Sequence, residues 1–177
     1  MNQDNIDLLN SAIRDVHDFP KEGIVFKDIT PMIADGKLFR LTTEMFAETL
    51  NGEKPDKVIG IDARGFIFGA ALADRLGVGF VPVRKKGKLP WETTGVAYSL
   101  EYGEAHVEIH RDAIKPGERV ILVDDLLATG GTAGAAIKLV KELGGEIICV
   151  SFLIELEFLK GRENLDSDVR VEALLAY

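Results

Sequence analysis

The sequence predicts a single α/β domain in which a mostly parallel sheet is flanked by helices. Two strand–turn–helix units carry this prediction. In the first, the apolar run Lys57–Asp62 is followed by a turn and then by apolar residues at helical spacing up to Gly77. In the second, Val120–Val123 leads through a Gly-rich turn into a helical segment that ends at Gly144. Continuous apolar runs of this kind are typical of strands buried on both faces of a parallel sheet.

Composition and charge set the limits on domain number and partners. The 177 residues are 46% hydrophobic, enough for one well-filled core, so we expect one domain over residues 1–177. A net charge of -8 argues against general binding of nucleic acids or of anionic membranes. The single cysteine, Cys149, lies in an apolar run and can form no intrachain disulfide, and the chain shows neither a signal peptide nor a membrane span. These features predict a cytoplasmic protein.

The N-terminal part begins with an amphipathic pattern and continues with an extended segment. The first helix is predicted from four apolar residues on one face, Ile6, Leu9, Ile13 and Val16. After the turn Asp18–Gly23, the segment Ile24–Pro31 is extended and apolar, and its free backbone edge could hydrogen-bond a planar heterocycle stacked on Phe26. The same segment, taken alone, also fits an edge strand that only packs on the core.

The middle of the chain alternates strands and helices and contains two groups of cations. An amphipathic helix ends at Asn51-Gly52, and Arg64, beside a glycine after the next strand, is either a phosphate ligand or a solvated charge. After the strand Val78–Val83 come four cations in five residues: Arg84, Lys85, Lys86 and Lys88. They form either a solvated surface or a flexible loop that covers an anionic substrate. Alternating residues around 96–100 and 107–109 predict a hairpin beside the site.

The segment Val120–Thr132 has the most specific pattern in the chain. The strand delivers Asp124 and Asp125 to the sheet edge, where carboxylates can accept hydrogen bonds from a sugar diol. The following turn contains Gly130 and Gly131 and opens into a helix that Thr129 or Thr132 could cap, so its free N–H groups can hold a phosphate. The glycine spacing matches neither a P-loop nor a dinucleotide fingerprint. Diol and phosphate together point to a ribose 5-phosphate.

The run Val123–Thr132 resembles the PRPP (5-phosphoribosyl diphosphate) signature of type I phosphoribosyltransferases, in the Leu-Leu-Ala form of the adenine phosphoribosyltransferase family. Further segments resemble that family between about Phe19 and Arg162. The resemblance implies the type I fold with a small N-terminal hood, about residues 1–35, and a flexible hairpin lid, about residues 84–106. It also implies transfer of phosphoribosyl from PRPP to adenine, giving AMP and diphosphate, with Mg²⁺ as cofactor and a homodimer as the assembly.

The resemblance also assigns roles to individual residues. Ribose 5-phosphate is expected on Asp124, Asp125, Ala128, Thr129, Gly130, Gly131 and Thr132. Diphosphate is expected on Arg64, Arg84, Lys85 and Lys88, and adenine on Val25, Phe26, Lys27, Arg64 and Leu126. Glu101 is the expected catalytic residue, which handles a proton near N7 of the base. Magnesium is expected to bind through substrate and water without direct side-chain ligands, and the peptide Asp62-Ala63 is expected to be cis.

Two positions depart from the family pattern, and two other functions stay open. Lys27 and Trp91 stand where relatives often carry arginine, and the contact expected at Lys27 is a main-chain one. A phosphoribosyltransferase for another purine, hypoxanthine or xanthine, would have the same sugar site. A non-catalytic PRPP-sensing regulator bound to DNA would need a DNA-binding module, for which this acidic chain has no room.

Overall fold

The computed structural model describes residues 2–99 and 104–177, and its centre is a seven-stranded, mostly parallel sheet. The strand order is β5-β6-β4-β3-β7-β8-β9. The strands are β3 Lys57–Ile61, β4 Gly79–Lys85, β5 Thr93–Ser99, β6 Glu104–His110, β7 Arg119–Leu127, β8 Glu146–Glu155 and β9 Val171–Ala176. The four pairs from β4 to β9 are parallel, and β6 pairs antiparallel with β4 and β5. The predicted fold class is therefore confirmed.

Helices cover the sheet, and the core is divided between its two faces. The longer helices are α3 Gly36–Glu48, α4 Gly65–Leu76 and α5 Gly131–Glu142. Along β7, Val120 and Leu122 pack in a cluster with residues of α5, whereas Ile121 and Val123 pack in a second cluster with α3 and α4. All four side chains are fully buried, as expected for a central strand. Within the described ranges, no helix is long and apolar enough to cross a membrane.

The N-terminal segment differs from its prediction in two respects. Helix α1, Gln3–Ser11, stops before Ile13, and β1, Arg14–His17, follows it. Strand β1 pairs antiparallel with β2, Val25–Asp28, so Val16 lies on a strand opposite Phe26 instead of on the helix. Pairing between the two strands thus overrides the helical spacing of the apolar residues. The extended segment is also shorter than predicted, because the short helix α2, Thr30–Ala34, begins before Pro31.

The predicted hairpin is confirmed as β5 and β6, which pair from Thr93↔His110 to Ser99↔Glu104. Strand β6 also pairs with the end of β4, through Arg84↔Glu108 and Lys85↔Val107. The hairpin therefore extends the central sheet at its antiparallel edge. This attachment brings Tyr98 and Val107 to the same cleft as the carboxyl ends of β3 and β7.

Candidate active site

A cleft of about 430 Å³ opens at the carboxyl ends of the parallel strands. Its walls include Asp62 and Arg64 after β3, Lys85 at the end of β4, and Asp124 and Asp125 on β7. Adjacent parallel strands end at the same edge of the sheet, so turns that are distant in sequence converge here. The structure thus joins both predicted strand–turn–helix units in one site.

The two carboxylates on β7 have different surroundings. Asp125 is buried and accepts a hydrogen bond from Arg64 Nε at 2.5 Å, while its backbone N–H donates to Asp124 Oδ1 at 2.9 Å. Burial, and secondly the charge of Asp125, raises the pKa of Asp124 well above its ordinary value. A carboxyl group has more acceptor positions than the one that the N–H of Asp125 uses, so Asp124 can also accept hydrogen bonds from the hydroxyls of a sugar.

The backbone at the start of α4 packs closely against Asp124. A Cβ added to Gly65, the first residue of α4, would lie 2.7 Å from Asp124 Oδ1 and 2.8 Å from the carbonyl oxygen of Val123. Both distances are too short for real contacts, so only glycine fits at this position. The start of α4 and the end of β7 therefore support each other.

The Gly-rich turn differs from its prediction in two details. Strand β7 does not end at the two carboxylates but continues to Leu127, because Leu126 and Leu127 still pair with Ile154 and Glu155 of β8. The N-cap of α5 is Gly130, with φ 83° and no side-chain cap, so neither Thr129 nor Thr132 caps the helix. Only glycine adopts this left-handed conformation readily. No side chain in the described part of the protein caps this 12-residue helix, so its first N–H groups can bind an anion.

The segment after β8 packs against this turn. Asn164 Nδ2 donates to the carbonyl oxygen of Thr129 at 2.9 Å, and the carbonyl oxygen of Gly161 would lie 2.3 Å from a Cβ on Gly130. Arg162 anchors the segment, because its Nε and Nη2 both donate to the buried carboxylate of Glu155. A small pocket of about 80 Å³ remains in the turn, lined by Asp124 and residues 126–133. Its size and free N–H groups suit one phosphate.

A second, more apolar slot of about 80 Å³ lies between the N-terminal hairpin, formed by β1 and β2, and the end of β7. All five residues predicted to bind the base line it: Val25, Phe26, Lys27, Arg64 and Leu126. The guanidinium of Arg64 lies 5.6 Å from the centre of the Phe26 ring, within the range of a cation–π contact. In its two-stranded sheet β2 pairs only with β1, so its other edge faces no strand of the described chain. The slot therefore combines an aromatic face with backbone hydrogen-bonding groups.

Comparison with known proteins identifies the family. The sequence matches the phosphoribosyl transferase domain family over residues 32–171. An adenine phosphoribosyltransferase of Syntrophotalea carbinolica is 56% identical over 169 residues, which are 96% of this chain and 98% of that protein. One from Clostridium botulinum is 56% identical over 158 residues, 89% of this chain and 92% of that protein. The chain belongs to the adenine phosphoribosyltransferase family.

Solved structures agree with this membership. The adenine phosphoribosyltransferase of Thermoanaerobacter pseudethanolicus superposes with a TM-score of 0.93 at 53% identity, covering 97% of this chain and 99% of that one. The enzyme of Saccharomyces cerevisiae, solved with an imino-altritol bisphosphate and adenine, gives 0.93 at 42% identity, with 98% and 99% covered. The adenine phosphoribosyltransferase fold therefore extends over nearly the whole chain.

The residues expected from the family resemblance are only partly gathered at the cleft. Arg64 and Lys85 line it, whereas Arg84 donates from Nε to Asp62 Oδ2 at 3.0 Å and from Nη1 to the carbonyl oxygen of Lys88 at 3.1 Å. The side chain of Lys88 is exposed. The Asp62-Ala63 peptide is cis, as the resemblance implied. Glu101 lies outside the described residues.

Several lining residues were not predicted from the sequence. Ile154 at the end of β8 and Leu156 just after it line the apolar slot, and Tyr98 on β5 lines the cleft. Ile154 could have been found, because it lies near the end of a buried strand, β8, beside the strand that carries Asp124. Tyr98 carried no such signal, since its position depends on the pairing of β6 with β4.

Proposed function

We propose that the protein catalyses the reaction of adenine with PRPP, forming AMP and diphosphate. One observation carries the proposal: the carboxylate pair lies between the apolar slot, here called the base slot, and the pocket of the Gly-rich turn, here called the phosphate turn. Asp125 lines both the base slot and the cleft, and Asp124 lines both the cleft and the phosphate turn. A nucleotide consists of a base, a sugar diol and a phosphate in the same order. The adenine reported with the yeast relative supports the choice of base.

The binding roles follow from this order. The 5-phosphate binds the backbone N–H groups of 128–132, and the ribose hydroxyls bind Asp124 and Asp125. The base binds between Phe26 and Leu126, with its polar edge toward the backbone of Val25 and Lys27. Diphosphate binds Arg64 and Lys85 in the cleft. Arg84 and Lys88 belong to the same loop as Lys85, and they approach the diphosphate when this loop moves toward the cleft.

The chemistry is the replacement of one bond at the anomeric carbon by another. A ring nitrogen of adenine attacks this carbon, the bond to the diphosphate oxygen breaks, and diphosphate leaves with the bonding electrons. Positive charge develops on the ribose, and the carboxylate of Asp125, held in place by Arg64, stabilises it through the electrostatic field of a preorganised site. Adenine loses one ring proton as the new bond forms, and Glu101 accepts this proton at N7 of the base. The turn and the slot contribute by holding both reactants in line.

Magnesium fits this site as a partner of the substrate. Among residues 2–99 and 104–177, no group of three or more acidic, histidine or cysteine side chains could hold a metal ion. Mg²⁺ retains waters and commonly binds through substrate phosphates, so two carboxylates that orient the ribose hydroxyls are compatible with it. When bound, magnesium supplies neutralising charge to the diphosphate. Arg64 and Lys85 neutralise part of the same charge.

The remaining proposals concern the protein as a whole. We propose one domain over residues 1–177, with a hood over about 1–35 and a lid over about 84–106. The cytoplasm is the proposed compartment, because a free thiol such as that of the buried Cys149 is typical of reducing environments. A homodimer is proposed from the family resemblance alone, and light scattering in solution tests it.

One assay tests the central activity. The protein, adenine, PRPP and Mg²⁺ are incubated together, and AMP is detected by chromatography. Initial rates with hypoxanthine and xanthine at the same concentrations test the choice of base, and we expect adenine to be preferred. Absence of AMP, together with salt-dependent retardation of DNA in a gel, would favour the regulatory alternative.

A further inference from the structure

The aromatic residue Tyr177 contacts both walls of the base slot, although it does not line the slot itself. On the side of strands β1 and β2, the ammonium group of Lys27 lies 3.9 Å from the centre of the Tyr177 ring. The Tyr177 hydroxyl also donates to Asn10 Oδ1 of α1. On the sheet side, the backbone N–H of Tyr177 donates to the carbonyl oxygen of Glu155 at 2.9 Å. The N–H of Glu157 donates to the carbonyl oxygen of Tyr177 at 2.9 Å.

Both sets of contacts are adjacent to residues that line the slot. Lys27 lines it directly, and Leu156, between Glu155 and Glu157, lines the opposite side. The slot is covered on this side by the N-terminal hairpin, which consists of the short strands β1 and β2. A two-stranded sheet of this kind is marginally stable without further packing. Its position over the slot therefore depends on contacts of this kind with the main sheet.

We propose that Tyr177 is a positioning residue for base recognition, which sets the distance between the β2 backbone and the end of β8. The inference rests on the proposed function, because it concerns the same slot. Lys27 has a second partner in Asp15, at 2.7 Å, so its ammonium group is held between a carboxylate and an aromatic face. The Lys27 side chain thus stabilises the position of β2, while the Lys27 backbone is left to bind the base.

The hydroxyl and the ring of Tyr177 have separable roles. Burial, and secondly the charge of Asp15, raises the pKa of Tyr177, so the hydroxyl stays protonated and can donate to Asn10. Tyr177→Phe removes this hydrogen bond and keeps the ring beneath Lys27. Tyr177→Leu removes both contacts, while the backbone bonds to Glu155 and Glu157 need no particular side chain.

The test separates the KM for adenine from the KM for PRPP. We expect Tyr177→Leu to raise the KM for adenine by about fivefold or more, with Tyr177→Phe intermediate and the KM for PRPP within about twofold of the unaltered protein. Lys27→Met combined with Tyr177→Leu should raise the KM for adenine by less than the product of the single effects, because the two residues share a contact.

Lys57→Met is the matched control for lost stability. It removes a partly buried ammonium group that donates to Ala113 and Glu118, at the opposite end of β3 from the site. We expect it to lower the melting temperature and leave the KM for adenine unchanged. If Tyr177→Leu behaves in the same way, its role is only structural and the inference is overturned. An unaltered protein that forms no AMP would refute the proposed function itself.

Discussion

The contact between Gly161 and the phosphate turn makes a quantitative prediction. Gly161 is buried and has no left-handed backbone conformation, so Gly161→Ala changes packing without backbone strain. The new Cβ would lie 2.2 Å from the carbonyl oxygen of Ala128, where ordinary contact begins at 3.4 Å. The carbonyl and the new methyl group must separate by about 1.2 Å, and a misplacement of about 1 Å can reduce a rate by about 100-fold.

We therefore expect Gly161→Ala to lower kcat/KM for PRPP by about 100-fold, equivalent to about 2.7 kcal/mol. Overpacking should also reduce the free energy of unfolding by about 1–3 kcal/mol. The assay is steady-state AMP formation at saturating adenine with varied PRPP, beside thermal unfolding of the same samples. Gly36→Ala is the control, because a Cβ at Gly36 meets no atom within 4 Å, and its kinetics should not change. A folded Gly161→Ala protein with unchanged kcat/KM would refute the reasoning.

Three other substitutions test the reaction site. Arg64→Lys removes the Nε donor to Asp125 and should lower kcat/KM for PRPP by about tenfold. Unchanged kinetics would show that the reaction does not need the guanidinium group of Arg64. The pKa of Asp124 is higher in the folded protein than the ordinary value of 3.8, which applies to the unfolded chain, so the fold is more stable when Asp124 is protonated. This stabilisation is complete below pH 3.8 and is lost as the pH rises through the folded-state pKa of Asp124. Asp124→Asn should therefore raise the melting temperature more at about pH 8 than at about pH 5, and a pH-independent change would contradict this. Glu101→Ala should slow AMP formation, and an unchanged rate would refute its proton-handling role.

The sequence was most informative where a site is made by consecutive residues. Asp124, Asp125 and the following glycines form a local pattern, so a carboxylate pair followed by a Gly-rich helix start could be predicted without the fold. The contact of Asp125 with Arg64 could not, because these residues are 61 positions apart and meet only when β3 and β7 pair. Tyr177 gave no signal for the same reason, since its partner Lys27 belongs to the other end of the chain.

Errors in prediction occurred where two local patterns compete. Ile13 and Val16 continue the helical spacing of α1, but Val16 also suits a strand, and its pairing with Phe26 of β2 decides the outcome. The helix start at Gly130 is a second example. Threonine is a preferred N-cap residue, yet the left-handed turn at Gly130 shifts the cap to a glycine and leaves both threonine hydroxyls without this role.

The most direct test of the account is a crystal structure of the protein with bound AMP. We expect the phosphate at the N–H groups of residues 128–132, the ribose hydroxyls within hydrogen-bonding distance of Asp124 and Asp125, and adenine between Phe26 and Leu126. AMP bound elsewhere, with these three pockets unfilled, would contradict the proposed arrangement of the site.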